Sequence, residues 1–415
     1  MTPSRVYVVG GGLAGLSAAV ALAGRGIAVT VLEGAAQIGG RCRSYFDAQL
    51  GMTIDNGNHL VLSGNHATHE FLRTLGALDH LTGPIEAEWT FCDVRDGRRW
   101  TLRINPGPIG WWVLVKDRRV PDTHPADYFP LLRLLRSQSG RRLRDVIACE
   151  GPLWERLIEP LMLASLNTDA AEGSAELAGA IVRETLAAGG RACAPRVADP
   201  GLDAAFIAPA LAFLAAHGAE VRTGRRVDAI TTDATRALGL KIGGETIELG
   251  GDDSVIVATP AWTTPGLLPS VSAPDTFSSI VNGHFKIDPP PDAPKIIGVI
   301  GGMAQWLCTF DGRISTTTSG ADAVVDMPRE QMAAALWADV VKVHGLGDTP
   351  MPPWQIVKER RATFEATPAQ VAKRPGAKTR WRNLALAGDW TDTGLPATIE
   401  GAIRSGHKAA GIFLH

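Results

Sequence analysis

Val6-Tyr7-Val8-Val9-Gly10-Gly11-Gly12-Leu13-Ala14-Gly15 decides how this chain is to be read. Val6 to Val9 is a short β-branched run of the kind that forms a parallel strand buried on both faces. The Ala- and Leu-rich stretch over about 16–25 predicts a helix that Gly26 stops, and 27–32 predicts a second apolar strand leading to Glu33. Strand, glycine triplet, helix, strand and acid thus come in the order a dinucleotide requires. Gly10 permits the tight turn, Gly12 lets the backbone approach a pyrophosphate, and Gly15 lets helix and strand pack closely. Leu13 and Ala14 belong to the same phosphate loop, beside the free N–H groups and positive dipole end of the helix. Glu33, 23 residues after Gly10, is placed to accept hydrogen bonds from a ribose hydroxyl. This spacing serves NAD and FAD equally.

Around that stretch, the 415 residues suffice for two domains of ordinary size. With 45% hydrophobic residues, 20% charged and a formal net charge of −2, the composition is that of a soluble globular class. The 41 Lys+Arg against 43 Asp+Glu leave no positive excess to pair with phosphates, so no nucleic-acid partner is expected. Cys42, Cys92, Cys149, Cys193 and Cys308 lie far apart and never form C-x-x-C. That fits free thiols in a reducing compartment and argues against a disulfide framework or a zinc site. Only Arg5 precedes the first apolar run, which glycines puncture, so no secretory signal is expected. No uninterrupted apolar window is long enough for a spanning helix. The expectation is a cytoplasmic protein, with peripheral contact to the inner face of the membrane left open.

Gly39-Gly40-Arg41 adds a second glycine pair that can approach a pyrophosphate, with a permanent, forked charge beside it. At the far end, 383–387 is a short apolar strand leading to Gly388-Asp389, an unhindered loop and a carboxylate suited to a ribityl hydroxyl. A helix is predicted to begin near Thr398-Ile399-Glu400, aiming N–H groups at the electron-rich edge of a flavin. Glycine fingerprint, acid and Gly-Gly-Arg together resemble the flavin amine-oxidase and carotenoid-desaturase superfamily, and FAD is the cofactor this implies. The run Leu386-Ala387-Gly388-Asp389-Trp390-Thr391-Asp392-Thr393-Gly394-Leu395-Pro396-Ala397-Thr398-Ile399-Glu400-Gly401-Ala402 resembles the hydroxysqualene dehydroxylases of bacterial hopanoid synthesis. Asp55-Asn56-Gly57-Asn58-His59-Leu60, Arg361-Ala362-Thr363-Phe364, Pro368 and Arg374-Pro375 fit the same resemblance. Asn58 departs from it, standing where Gln is expected.

The resemblance implies an α/β fold: a Rossmann-type FAD-binding domain with an inserted α+β substrate domain. The FAD-binding pieces are expected at 1–83, 201–261 and 376–415, and the substrate domain at 84–200 and 262–375. Arg225 to Ile230 resembles the strand whose Val backbone holds the adenine, which assigns that role to Val227. The run Pro106-Gly107-Pro108-Ile109-Gly110-Trp111-Trp112-Val113-Leu114-Val115 is followed by Lys116, Arg118 and Arg119, and 128–136 repeats the theme. Trp and Arg beside Leu suit a bilayer headgroup boundary; two buried core segments are the other reading.

The chemistry implied by the resemblance is reduction of an allylic alcohol by hydride from reduced flavin. The substrate is then a hydrophobic isoprenoid, and the electron donor lies outside the chain. Departure of hydroxide at neutral pH calls for an acid. His59 is the expected proton donor, with a structural hydrogen-bonding role as the alternative. No cysteine lies near the C-terminal motif, so FAD is expected to be non-covalent. An oxidative desaturase of carotenoid type would run the flavin in the opposite direction. An amine oxidase would want an aromatic cage, and the chain holds only Tyr7, Tyr45 and Tyr128.

Overall fold

A computed structural model describes residues 3–414. Its first sheet is parallel throughout, in the order Glu220–Arg222, Ala28–Leu32, Arg5–Val9, Asp253–Val257, Leu384–Leu386. Val6, Val8, Val31, Val255 and Ile256 have essentially no exposed surface, as expected of strands covered on both faces. The helix after the first strand spans Leu13–Ala23. It begins three residues before the predicted 16 because Gly12 already acts as its N-cap, and it ends at Gly24.

Ten of that helix's eleven residues are buried, because it lies between the sheet and the C-terminal helix Ile399–Gly411. Small residues permit this: a Cβ on Gly406 would sit 2.3 Å from the Ala14 carbonyl oxygen. Ser17 Oγ also donates to the Ile403 carbonyl at 2.9 Å. The close crossing brings the start of the last helix beside the glycine fingerprint.

The second sheet has seven strands in the order Trp354–Phe364, Phe277–Phe285, Arg313–Ser319, Trp306–Phe310, Ile296–Ile300, Glu88–Asp93, Arg99–Arg103. Its strands are antiparallel except for the Ile296–Ile300 and Glu88–Asp93 pair. Period-two alternation divides the faces. Trp306, Cys308 and Phe310 join the core shared with Trp89 and Phe91, whereas Leu307 packs with Phe285 and Leu336 under the helix Arg329–His344.

One expectation in the middle of the chain is corrected, and one open alternative divides between its two readings. Val227 lies in an irregular segment between the strands Glu220–Arg222 and Ala229–Thr232 rather than in a strand, because pairing with the Lys241 strand begins only at Asp228 N–H. The tryptophan pair is split: Trp112 is 3% exposed and packs edge-on against Tyr128 at 5.2 Å, while Trp111 is 44% exposed.

Candidate active site

The glycine loops fit edge to edge. Gly39 N–H donates to the Gly11 carbonyl at 2.8 Å, and Gly12 and Gly39 form a parallel bridge. Gly10 has φ +110°, and a Cβ there would lie 2.6 Å from the Ala258 carbonyl oxygen. A Cβ on Gly15 would lie 2.0 Å from the Gly10 carbonyl oxygen. Gly12 is different in kind: a Cβ there would meet no protein atom within 4 Å, and on Gly40 only Gly12 Cα at 3.5 Å. Gly10 and Gly15 are therefore glycines because protein is in the way, whereas Gly12 and Gly40 border open space. Among the described residues, the N–H groups of Leu13 and Ala14 find no protein acceptor over that space. This is the cradle a pyrophosphate requires.

Flanking groups agree. Glu33 accepts from Gly11 N–H (2.7 Å) and Ala35 N–H (2.8 Å), which fixes its carboxylate at the end of its strand. Arg225 N–H bonds the Glu33 carbonyl, and two residues on, the Val227 N–H and C=O have no protein partner among the described residues. Arg41 donates to the Ala362 carbonyl and, at 2.7 Å, to Asp389 Oδ1, so the second loop is tied to the C-terminal motif. Asp389 is buried with its other oxygen unclaimed by these bonds. Gly388 has φ +150°, and a Cβ there would strike the Trp390 indole at 2.3 Å. Thr398 caps the last helix by accepting from Gly401 N–H at 3.0 Å, and among the described residues the N–H groups of Ile399 and Glu400 remain unpaired.

The Glu400 side chain is not available to a cofactor, which corrects the expectation for that residue. Its carboxylate is buried and accepts from Ala67 N–H (3.1 Å), Thr68 N–H (2.8 Å), Thr68 Oγ1 (2.7 Å) and Arg404 Nε (2.8 Å). It caps the helix His66–Thr74 and leaves only its own backbone N–H facing the site. Arg374 fits the family resemblance in sequence, but no role was expected of it there. It is buried and donates to the carbonyls of Asp389, Trp390 and Thr391, so it shapes the whole turn after Gly388. Burial lowers its pKa to about 10, which leaves it charged at neutral pH.

His59 is partly buried beside Asp55 and Asn58 in a small cavity closed by Val197, Leu202 and Phe310. Burial lowers its pKa below the usual histidine range; Asp55 opposes this and Arg41 adds to it. A neutral imidazole at pH 7 works against the expected role as proton donor. Asp55 itself is fixed by Ser44 Oγ (2.6 Å) and Leu202 N–H (2.9 Å), with the buried Arg313 guanidinium at 3.7 Å. A small apolar cleft is lined by Leu62, Trp89, Phe91, Leu157, Leu161 and Trp306 among others, with no charged side chain on its wall. Among the described residues no cluster suits a metal ion.

Residues 13–412 match the flavin-containing amine oxidoreductase family. The chain is 52% identical over 410 residues to hydroxysqualene dehydroxylase of Rhodopseudomonas palustris, covering 99% of this chain and 98% of that one. It is 47% identical over 412 residues to the enzyme of the same name from Sinorhizobium fredii, covering 99% of each chain. Cyclohexylamine oxidase from Brevibacterium oxydans superposes with a TM-score of 0.72 at 16% identity, covering 99% of this chain and 98% of that one, a likeness of fold alone. The chain belongs to the flavin-containing amine oxidoreductase family, and within it to the hydroxysqualene dehydroxylases.

Proposed function

We propose that the chain removes the hydroxyl of hydroxysqualene by FAD-dependent reduction, forming squalene. The observation that carries this is near-full-length identity to hydroxysqualene dehydroxylases in a chain whose cleft wall bears no charge. Gly10, Gly12, Gly15 and the N–H groups of Leu13 and Ala14 would hold the pyrophosphate, with Gly39, Gly40 and Arg41 closing over it. Glu33 would take the ribose, the Val227 backbone the adenine, Gly388 and Asp389 the ribityl chain. The N–H groups of Ile399 and Glu400 would meet the pyrimidine edge, with Thr398 fixing the helix start. Once reduced, bound FAD supplies the hydride. The protein's task is to bury the hydrocarbon, exclude water and orient the C–O bond.

His59 is a titratable side chain at this site, and the sign of its shift makes its role testable. Its proton occupancy at pH 7 is low and rises as pH falls through its depressed pKa. If it is the acid, kcat climbs between pH 7 and 6, and His59→Ala flattens that climb and slows the reaction roughly 10²–10⁴-fold with FAD retained. A flat profile in the wild type returns His59 to hydrogen bonding.

The decisive experiment mixes photoreduced enzyme with hydroxysqualene anaerobically and follows flavin absorbance and squalene in a single turnover. Reoxidation with stoichiometric squalene is expected. Oxidised enzyme that dehydrogenates squalene, with reduced enzyme ignoring the alcohol, would establish a desaturase instead.

An exposed apolar patch supports the substrate class. Trp111, Leu114, Phe129 and Leu132 are exposed on two short helical segments joined through Trp112 and Tyr128, with exposed Ile109 just before the first. Lys116, Arg118, Arg119, Arg133 and Arg136 outnumber Asp117, Asp122 and Asp127 there, and Arg118 stacks over Trp111 at 5.0 Å. Apolar side chains framed by cations suit peripheral binding to an anionic bilayer, the phase in which a C30 isoprenoid resides. No helix among the described residues is long and apolar enough to cross a membrane.

A further inference from the structure

The strand Phe277–Phe285 carries a buried amide where the second sheet meets the Asp55–His59 segment. Asn282 is 1% exposed, and Thr317 of the strand Arg313–Ser319 stands directly opposite it in register. Its Oδ1 accepts from Thr317 Oγ1 at 2.9 Å and from Asn58 N–H at 3.3 Å. A backbone N–H can only donate, so the second bond fixes which end of the amide is oxygen. Asn58 Nδ2 completes the junction by donating to Thr317 Oγ1 (3.1 Å) and the Thr316 carbonyl (3.2 Å). The Asn282 oxygen is thus doubly engaged, whereas its Nδ2 finds no acceptor among the described residues.

The surroundings of that nitrogen are specific. A Cβ on Gly57 would lie 3.2 Å from Asn282 Nδ2 and 3.6 Å from His59 Nε2, so the two nitrogens flank one spot. The His59 ring also meets the backbone of Arg41, whose guanidinium holds Asp389 at 2.7 Å. A short run of contacts therefore leads from Asn282 through His59 to the second glycine loop and the C-terminal motif. Asn58 Oδ1 and His284 Nε2 also lack partners, but both are sealed in, and Asn282 Nδ2 is not among the sealed atoms. A free donor with access to open space, beside the expected acid, calls for an acceptor from outside the chain.

We propose that Asn282 Nδ2 donates a hydrogen bond to the substrate hydroxyl and holds its C–O bond beside His59. The inference rests on the dehydroxylase reading and adds a catalytic residue to it. An amide does not titrate, so it stays a donor at every pH, whereas burial keeps His59 largely unprotonated near neutrality. In the step, the C–O bond breaks with its electron pair on oxygen, and that oxygen takes one proton from the medium to leave as water. The carbon receives a hydride, two electrons and a proton, from the reduced flavin, which is oxidised. Asn282 transfers no proton; it stabilises charge building on the leaving oxygen. The Oδ1 bonds to Thr317 and Asn58 keep the donor aimed before substrate arrives.

The test compares photoreduced wild type, Asn282→Asp and Thr317→Val in single turnovers with hydroxysqualene. Asn282→Asp keeps an oxygen for Thr317 and Asn58 and loses only the amide donor. It should slow flavin reoxidation about 10²-fold, as for other donors to developing negative charge. Thr317→Val loosens the junction but leaves the donor in place, so its rate should fall less than tenfold. A purely structural role predicts the reverse order. A second arm uses oxidised enzyme, in which nothing reacts, and reads binding by tryptophan fluorescence. Wild type should bind hydroxysqualene roughly three- to tenfold more tightly than squalene, the worth of one hydrogen bond, and Asn282→Asp should lose that preference. Asn282→Asp within twofold of the wild-type rate, or wild type binding the two compounds equally, overturns the proposal. So does an Asn282→Asp variant with a shifted flavin spectrum and an intact alcohol preference, which would put the donor on the cofactor. A wild type that never reoxidises its flavin indicts the dehydroxylase reading instead, and the binding arm still decides whether Asn282 recognises the hydroxyl.

Discussion

Gly12 and Gly15 lie three residues apart in one motif, yet the structure gives them opposite vulnerabilities. A Cβ on Gly15 would sit 2.0 Å from the Gly10 carbonyl oxygen, over 1 Å inside the ~3.3 Å of an ordinary C···O contact. Helix and strand would have to separate, so Gly15→Ala should lower the stability of flavin-free protein by about 3 kcal/mol. Gly12 has φ −76° and ψ 178°, which any residue adopts, and a Cβ there meets nothing within 4 Å. Gly12→Val should therefore cost the flavin-free protein only about 1 kcal/mol, the effect of a poorer N-cap. Its damage falls on FAD, because the new methyl groups occupy the pyrophosphate's space. Urea unfolding of stripped protein, with and without added FAD, separates the two effects. Wild type should gain about 2.7 kcal/mol at a hundredfold excess of FAD over Kd, and Gly12→Val should gain nothing. Equal FAD stabilisation of Gly12→Val and wild type would show that the phosphates lie elsewhere. Equal losses for the two stripped variants would show that the space beside Gly12 is not open.

Glu400→Gln should destabilise the protein by roughly 2–3 kcal/mol in denaturant unfolding, because a buried carboxylate with four donors loses its charge; the folded fraction should keep its flavin spectrum, and flavin loss without destabilisation would return that carboxylate to the cofactor. Burial lowers the pKa of His284 to about 3 and that of His344 to about 4. Both stay neutral in the folded protein while the unfolded chain takes up protons below about pH 6.5, so stability is intact above that pH. It falls as pH drops toward 4, at up to about 1.4 kcal/mol per pH unit for each histidine. Unfolding midpoints that match at pH 7 and 5 would contradict this. Trp111→Asp with Phe129→Asp should reduce binding to anionic liposomes with flavin content unchanged, whereas Trp112→Asp should unfold or aggregate the protein; liposome binding unaffected by the first pair would remove the patch from consideration.

The flavin half of the molecule was legible because its residues are constrained locally. Gly10 and Gly15 are required by backbone atoms a few residues away or on the adjoining strand, and such constraints leave a spacing that can be read. Thr398 was readable as a helix start for the same reason. Glu400 was misjudged because its partners, Ala67 and Thr68, lie more than 330 residues away in sequence, and an acid at a helix start looks the same whether it faces a ligand or another helix. Trp111 and Trp112 could not be separated by composition; a short helical turn sends one ring inward against Tyr128 and leaves the other outside.

The parallel sheet has a consequence for how the protein is made. Its central strand, Arg5–Val9, pairs in register with Asp253–Val257, and the outer strand Leu384–Leu386 joins last. During synthesis the first strand pairs early with Ala28–Leu32 on one side but waits for some 250 residues before its second neighbour exists, a long closure that slows folding. The helix Ile399–Gly411, which packs on the first helix and closes the site, emerges after every strand of that sheet. Until then, the nascent chain exposes apolar strand edges open to mispairing. A chain cut short before that helix should thus aggregate rather than accumulate as a flavin-free intermediate, and FAD supply once the helix has emerged should govern soluble yield.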